Sequence, residues 1–235
     1  MEKEIFRKSF IEKLDKNFPE QSKYFEFRLK IFCEFNTLIF EINKCLILEL
    51  SRASITLTNN LLERLLKLAL INNETGIGPI ELEKWNEVFE EPNRKYNSIQ
   101  LGKSIELCKK HELISQAEKD YLFNIVRVLL RNGFSHSDSS EILKDLPDES
   151  VMFGGSFTDP NADLKEVKIN QKIMPTFQAL QMEGFAKTNA KLYFKFVYDL
   201  IFKIEQRLIE KTKLKHKQLC CNDAIKALLI VVPID

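Results

Sequence analysis

An arginine and a histidine separated by four residues, in Arg131-Asn132-Gly133-Phe134-Ser135-His136-Ser137-Asp138, form the stretch best equipped for chemistry. Histidine occurs three times in 235 residues, and it is the only side chain whose unperturbed pKa lies near neutral pH. Arginine keeps its charge and presents a planar fork that matches a phosphate. The pair points to phosphodiester chemistry without a metal. The same residues also have plainer uses, because Arg131 can complement the dipole at a helix C-terminus and His136 can be a solvated loop residue. The elements that carry the pair must decide.

The helix that delivers the pair has a defined start. Ser115-Gln116-Ala117-Glu118 is a capping box, in which serine and glutamate each satisfy an orphan amide. The apolar stripe that follows, Tyr121, Leu122, Ile125, Val126 and Leu129, runs into Arg131. Arg131 is therefore expected in the last turn, with Gly133 left-handed just beyond it. Residues five apart lie about 140° apart around a regular helix. Arg131 and His136 thus converge on one phosphate only where the backbone departs from straight helix, and Gly133 permits that.

Composition restricts the function classes. Thirty-five lysines and arginines nearly balance 34 acids, for a net charge of +1, so the chain lacks the basic excess of a protein that coats nucleic acid nonspecifically. Any RNA contact is expected to be local. The five cysteines (Cys33, Cys45, Cys108, Cys220, Cys221) are odd in number and lie mainly in apolar helical patterns, which argues for a reducing compartment. Cys220 and Cys221 follow His216, but no further ligand cluster completes a zinc site, so no metal or cofactor is expected. Charged residues interrupt the first apolar ones, and the longest apolar run, Ala227 to Val232, is too short to span a bilayer. A soluble, cytoplasmic protein is expected.

Taken in order, Ile5, Phe6, Phe10, Ile11 and Leu14 mark an N-terminal helix over 2–17 that Pro19 ends. Phe35, Leu38, Ile39, Ile42, Cys45 and Leu46 form a wide stripe, and Ile55, Leu62, Leu65, Leu66 and Ala69 a second, with a break near Leu50 where serines can cap a new helix. Asn72 to Gly78 reads as a loop. Pro79 opens a short segment carrying Trp85 and Phe89, which Pro92 closes. Leu101, Ile105 and Cys108 define a helix ending near His111, whose charge the terminal carbonyls favour. Residues 137–175 are turn-rich, with Gly154-Gly155 and Asp159-Pro160 as breakers, and Val151-Met152-Phe153 with Val167-Lys168-Ile169 forms either a small hairpin or an irregular excursion. From Phe177 a long helix carries Leu180, Phe185, Leu192, Phe196, Leu200, Ile201, Ile204 and Leu208. The tail is basic from Lys211 to Lys217, a run that usually marks a solvated face, and apolar from Ala227.

The ordered set resembles the HEPN family of small all-helical domains, many of them ribonucleases, which pair an arginine and a histidine across four to six residues. Arg131, Asn132 and His136 match that motif. Leu50-Ser51-Arg52-Ala53-Ser54-Ile55 leading into Leu62-Glu63-Arg64-Leu65-Leu66 resembles the family's second helix, and Leu101-Gly102-Lys103 through Leu130 resembles the helix pair that delivers the motif. The likeness covers roughly residues 36–210. Asp138 stands where some relatives carry an aromatic.

The resemblance implies an all-α, up-and-down helical bundle over 35–212, with insertions near 73–98 and 138–175, an N-terminal helical extension over 1–34 and a C-terminal tail over 213–235. It implies metal-independent RNA cleavage in a toxin or defence effector, with 2′-hydroxyl attack on the adjacent phosphate. His136 transfers the proton and Arg131 stabilises the phosphorane-like transition state. One chain supplies one such histidine, so a homodimer is implied that brings two motifs into one cleft, where Asn132 hydrogen-bonds and Glu63 orients Arg131. Partners are then an RNA substrate and an antitoxin or other defence-system protein, with no membrane. The competing readings are a non-catalytic HEPN-like module that holds a nucleotide or partner protein, and a structural helical subunit of a larger assembly. Exposure and convergence of Arg131 and His136 discriminate them.

Overall fold

A computed structural model describes residues 2–26, 28–135, 140–155 and 163–229, with side chains in the last helix described as far as residue 213. The structure is 76% helical with one small sheet. Its elements are α1 (Glu2–Gln21), α2 (Asn36–Ile47), α3 (Ser51–Thr75), α4 (Trp85–Tyr96), α5 (Leu101–Lys110), α6 (Gln116–Tyr121), a π-helical segment (Leu122–Arg131), α7 (Asn132–Ser135), α8 (Ser140–Leu143), β1 (Ser150–Gly154), β2 (Lys165–Ile169) and α9 (Pro175–Leu229). Among the described residues no helix is long and apolar enough to cross a membrane. The chain forms two compact units, one of residues 1–26, 38–59 and 124–195, the other of 27–37, 60–123 and 196–235.

In the first unit the core gathers Ile39, Ile42, Leu46 and Ile47 of α2, Ile55 of α3, Val126 and Leu130 of the π-helical segment, and Ala186, Ala190 and Tyr193 of α9, all buried. The α2–α3 break falls at residues 48–50, as the serine-rich stretch implies. No glycine makes the turn. Glu49 takes the left-handed conformation at φ 60°, and Leu50 N–H closes back on Cys45 O at 2.8 Å, the wide closure of a Schellman-type helix end. Glu49 is held there by Lys16 at 2.9 Å and Asn17 at 3.4 Å. Those same bonds lower its carboxyl pKa.

Two expectations for the N-terminal helix fail. Pro19 lies inside α1, which continues to Gln21; the ring removes one donor from the ladder, and beyond it Ser22 Oγ donates to the Pro19 carbonyl at 3.2 Å. The early apolar stripe faces solvent, with Ile5, Phe6, Phe10 and Ile11 exposed, because the charged Lys3, Arg7 and Lys8 interleave with it. The helix is fastened at its other end, where Asn17 Nδ2 donates to Ile47 O at 3.0 Å and Lys191 pairs with Glu20 at 2.7 Å.

The hairpin forms. β1 and β2 run antiparallel with Val151 opposite Lys168, Met152 opposite Val167 and Phe153 opposite Glu166. Asp159 and Pro160 lie outside the described residues.

In the second unit Phe32, Leu61, Leu62, Leu65, Leu66, Leu70, Ile105, Leu113, Val197, Ile201 and Ile204 are fully or almost fully buried. The Ser115–Glu118 capping box is present, and it is reinforced from α9, where Arg207 donates to Glu118 at 2.7 Å and Lys203 lies 3.2 Å away. Burial opposes the charge of Glu118, but the Arg207 hydrogen bond, the Ser115 amide and Lys203 prevail and bring its pKa down to about 2.

Other boundaries differ from expectation. α3 extends to Thr75, and Gly76 ends it at φ 83°. Pro79 does not open a helix; α4 begins at Trp85 and carries Pro92, buried, in its interior. α5 ends at Lys110 with His111 as its cap, but the cap's charge is disfavoured, because burial and then Lys110, Lys211 and Lys95 lower the His111 pKa. α9 buries Met182, Tyr193, Phe194 and Val197, whereas Leu180 and Leu192 are exposed. An apolar position counted along a helix this long belongs to whichever face its neighbours cover. The side chains of His216, Cys220 and Cys221 and residues 230–232 lie outside what is described.

Candidate functional site

Arg131 is the last residue of the π-helical segment, and Asn132 begins α7. The expectation of a regular helix closed by a left-handed Gly133 is therefore corrected. The chain departs from straight helix upstream of Arg131, through i→i+5 winding, and then resumes α-helix. Among the described residues Gly76 is the one glycine at positive φ; Gly133 is buried within α7. The buried face also shifts. Leu122, Val126 and Leu130 are buried while Ile125 is 39% exposed, so Leu130 belongs to the stripe and Ile125 does not.

Two contacts in the first unit flank Arg131 and Asn132. On the upstream side, Asn59 Nδ2 of α3 donates to the Leu130 carbonyl at 3.2 Å, and Tyr193 of α9 donates its hydroxyl to Asn59 Oδ1 at 2.8 Å. Asn59 and Tyr193 are 2% and 1% exposed, so the bonds are shielded from water, where losing one partner is costly. On the downstream side, the Phe134 ring stacks on Phe185 of α9 with centroids 6.2 Å apart. Arg131 and Asn132 lie between these two anchors.

Arg131 is half-buried, and its Nη1 donates to Asn132 Oδ1 at 3.5 Å, the long limit of a hydrogen bond. A backbone held on both sides fixes where this permanent cation leaves the chain. Glu63 lies on α3 in the second unit, and Arg131 in the first. His136 lies outside the described residues, as does Asp138. Among the described residues no group of three or more histidine, cysteine, aspartate or glutamate side chains is placed to hold a metal ion.

No family model matches the chain, and no curated protein or solved structure matches it. The site therefore rests on its own residues. The sequence reading missed Asn59 and Tyr193. A signal existed in an asparagine set within the apolar stripe between Ile55 and Leu62, since a polar residue on a buried face needs a partner. Which partner is a long-range fact, set 71 residues away by the hydrogen bond to Leu130.

Proposed function

We propose that the protein is a metal-independent endoribonuclease of HEPN type that works as a homodimer, with Arg131 and His136 as catalytic residues. The observation that carries this reading is the position of Arg131. A permanent cation ends a π-helical segment whose last turn is held by Asn59 through the Leu130 carbonyl, in a mostly helical fold. π-Helical turns concentrate at functional sites, and a pinned backbone is what a transition-state stabiliser needs.

In the reaction, the 2′-hydroxyl loses its proton to one His136 and its oxygen forms a bond to the adjacent phosphorus. The bond from phosphorus to the 5′-oxygen breaks, and that oxygen takes a proton from His136 of the second copy. Arg131 meets the charge that develops on the non-bridging oxygens. Asn132 hydrogen-bonds within the cleft. Atoms and charge balance in a 2′,3′-cyclic phosphate and a free 5′-hydroxyl. Analysis of product ends tests this chemistry directly: cyclic phosphate termini are expected, and products bearing 5′-phosphate exclude it.

A further inference from the structure

The second unit holds a cavity of about 460 Å³, a volume within the usual range of small-ligand sites. Three walls build it. The first is the turn at residues 30–34, fixed by Glu205, whose Oε1 accepts the N–H groups of Lys30, Ile31 and Phe32 at 3.0, 2.7 and 3.0 Å. Three successive amides converging on one oxygen are an anion nest, here filled from within, and Lys30 is presented at its edge. The second wall is α3, where Arg64, Leu68 and Asn72 recur at helical spacing toward Gly76. The third is α4, where Phe89 and Asn93 are one turn apart and Asn93 Nδ2 donates to Phe89 O at 2.9 Å.

The charges set this cavity apart. Lys30 and Arg64 form no ion pair among the described residues. The lysines around a cavity in the first unit are all neutralised, Lys16 by Glu49 at 2.9 Å, Lys187 by Glu183 at 2.6 Å and Lys191 by Glu20 at 2.7 Å. Two uncommitted cations therefore line a space that the half-buried Phe89 ring also lines. The Asn72 amide makes no side-chain hydrogen bond among the described residues either, so a donor and an acceptor remain for a ligand edge.

We propose that this cavity binds a mononucleotide, with the phosphate on Lys30 and Arg64, the base against Phe89 and its edge toward Asn72 and Asn93. Glu34 at the rim suits a sugar hydroxyl rather than a second phosphate. The flank of the site argues for a small ligand over a nucleic-acid strand. Glu81 and Glu91 pair with Lys84 and Arg94, but Glu83, Glu87 and Glu90 at the start and outer face of α4 form no ion pair among the described residues, and such a field repels a polyanion.

Trp85 is the only tryptophan and shares an adjoining cavity with Phe89 and Asn93, so its emission reports occupancy. The test is fluorescence titration of the full chain with adenosine monophosphate, inorganic phosphate and a short single-stranded oligoadenylate. Saturable binding of the mononucleotide is expected, tighter than phosphate alone or the oligonucleotide. Arg64→Glu and Lys30→Glu, both at exposed positions, should each weaken it by at least about tenfold, as loss of a charged hydrogen bond does. Absence of saturable binding, equal binding by both variants, or tighter binding of the oligonucleotide would overturn the proposal. His136→Ala should bind the mononucleotide normally, which separates this site from the ribonuclease reading.

Discussion

The hydroxyl of Tyr193 donates to Asn59 Oδ1 at 2.8 Å, and the other end of that amide holds the Leu130 carbonyl at 3.2 Å. One buried asparagine thereby ties α3 and α9 to the backbone immediately before Arg131. Tyr193→Phe removes one bond and leaves a buried acceptor with less satisfaction, at an expected cost of about 1–3 kcal/mol. Asn59→Leu removes both bonds and should cost more. Urea unfolding of the two variants checks this. Equal stability of Asn59→Leu and the parent would show that the network does not restrain this turn.

A second prediction concerns Arg131. Lysine keeps the charge but loses the planar fork, and the two cations are not interchangeable at a bidentate site. Arg131→Lys should lose ~10² or more of RNA cleavage, as removal of an oxyanion-stabilising donor does. Full activity in this variant would make the arginine an ordinary helix-terminal cation.

The third prediction is a pH dependence. Glu118 has a folded pKa of about 2 against an ordinary 4.5. A depressed carboxylate pKa contributes stability that is fully present above the ordinary value and is lost as pH falls toward the folded one. Stability should therefore decline between about pH 4.5 and 2, by roughly 3 kcal/mol for this group. Arg207→Met removes the 2.7 Å partner and should flatten that decline. Unfolding measured across this range in both proteins decides it; an unchanged slope in Arg207→Met would rule out the pair as its source.

The fourth prediction is a shared site. One chain offers one motif histidine, and two Arg131 side chains across a symmetry axis would supply the local positive field that a net charge of +1 does not. A phosphate between them relieves their repulsion and should tighten the dimer by linkage. Sedimentation with and without RNA should reveal this. A monomer that cleaves RNA with first-order dependence on protein would refute the shared site.

How much of this could be read in the residues depended on range. The Ser115–Glu118 capping box and the β1–β2 hairpin were legible because their chemistry is completed within a few residues of sequence. The π-helical winding of 122–131 was not, since an i→i+5 ladder and an i→i+4 ladder accept the same apolar residues. Glu49 shows a related gap. A left-handed turn is ordinarily signalled by glycine, but here Lys16 and Asn17, more than 30 residues away, hold a glutamate in it. Pro19 and Pro92 read as boundaries yet lie inside α1 and α4, because what a proline ends depends on how much helix remains and on what packs around it. The motif residues themselves were named by type and spacing, whereas the anchors on either side of Arg131 and Asn132, Asn59 and Phe185, are tertiary.

The central claim is most directly tested by RNA cleavage with the purified protein and His136→Ala, side by side, in the presence of EDTA. The account predicts cleavage by the parent despite the chelator and a loss of ~10² to 10⁴ in rate for the variant, with an unchanged circular dichroism spectrum. Undiminished cleavage by folded His136→Ala, or loss of the parent's activity in EDTA, would contradict it.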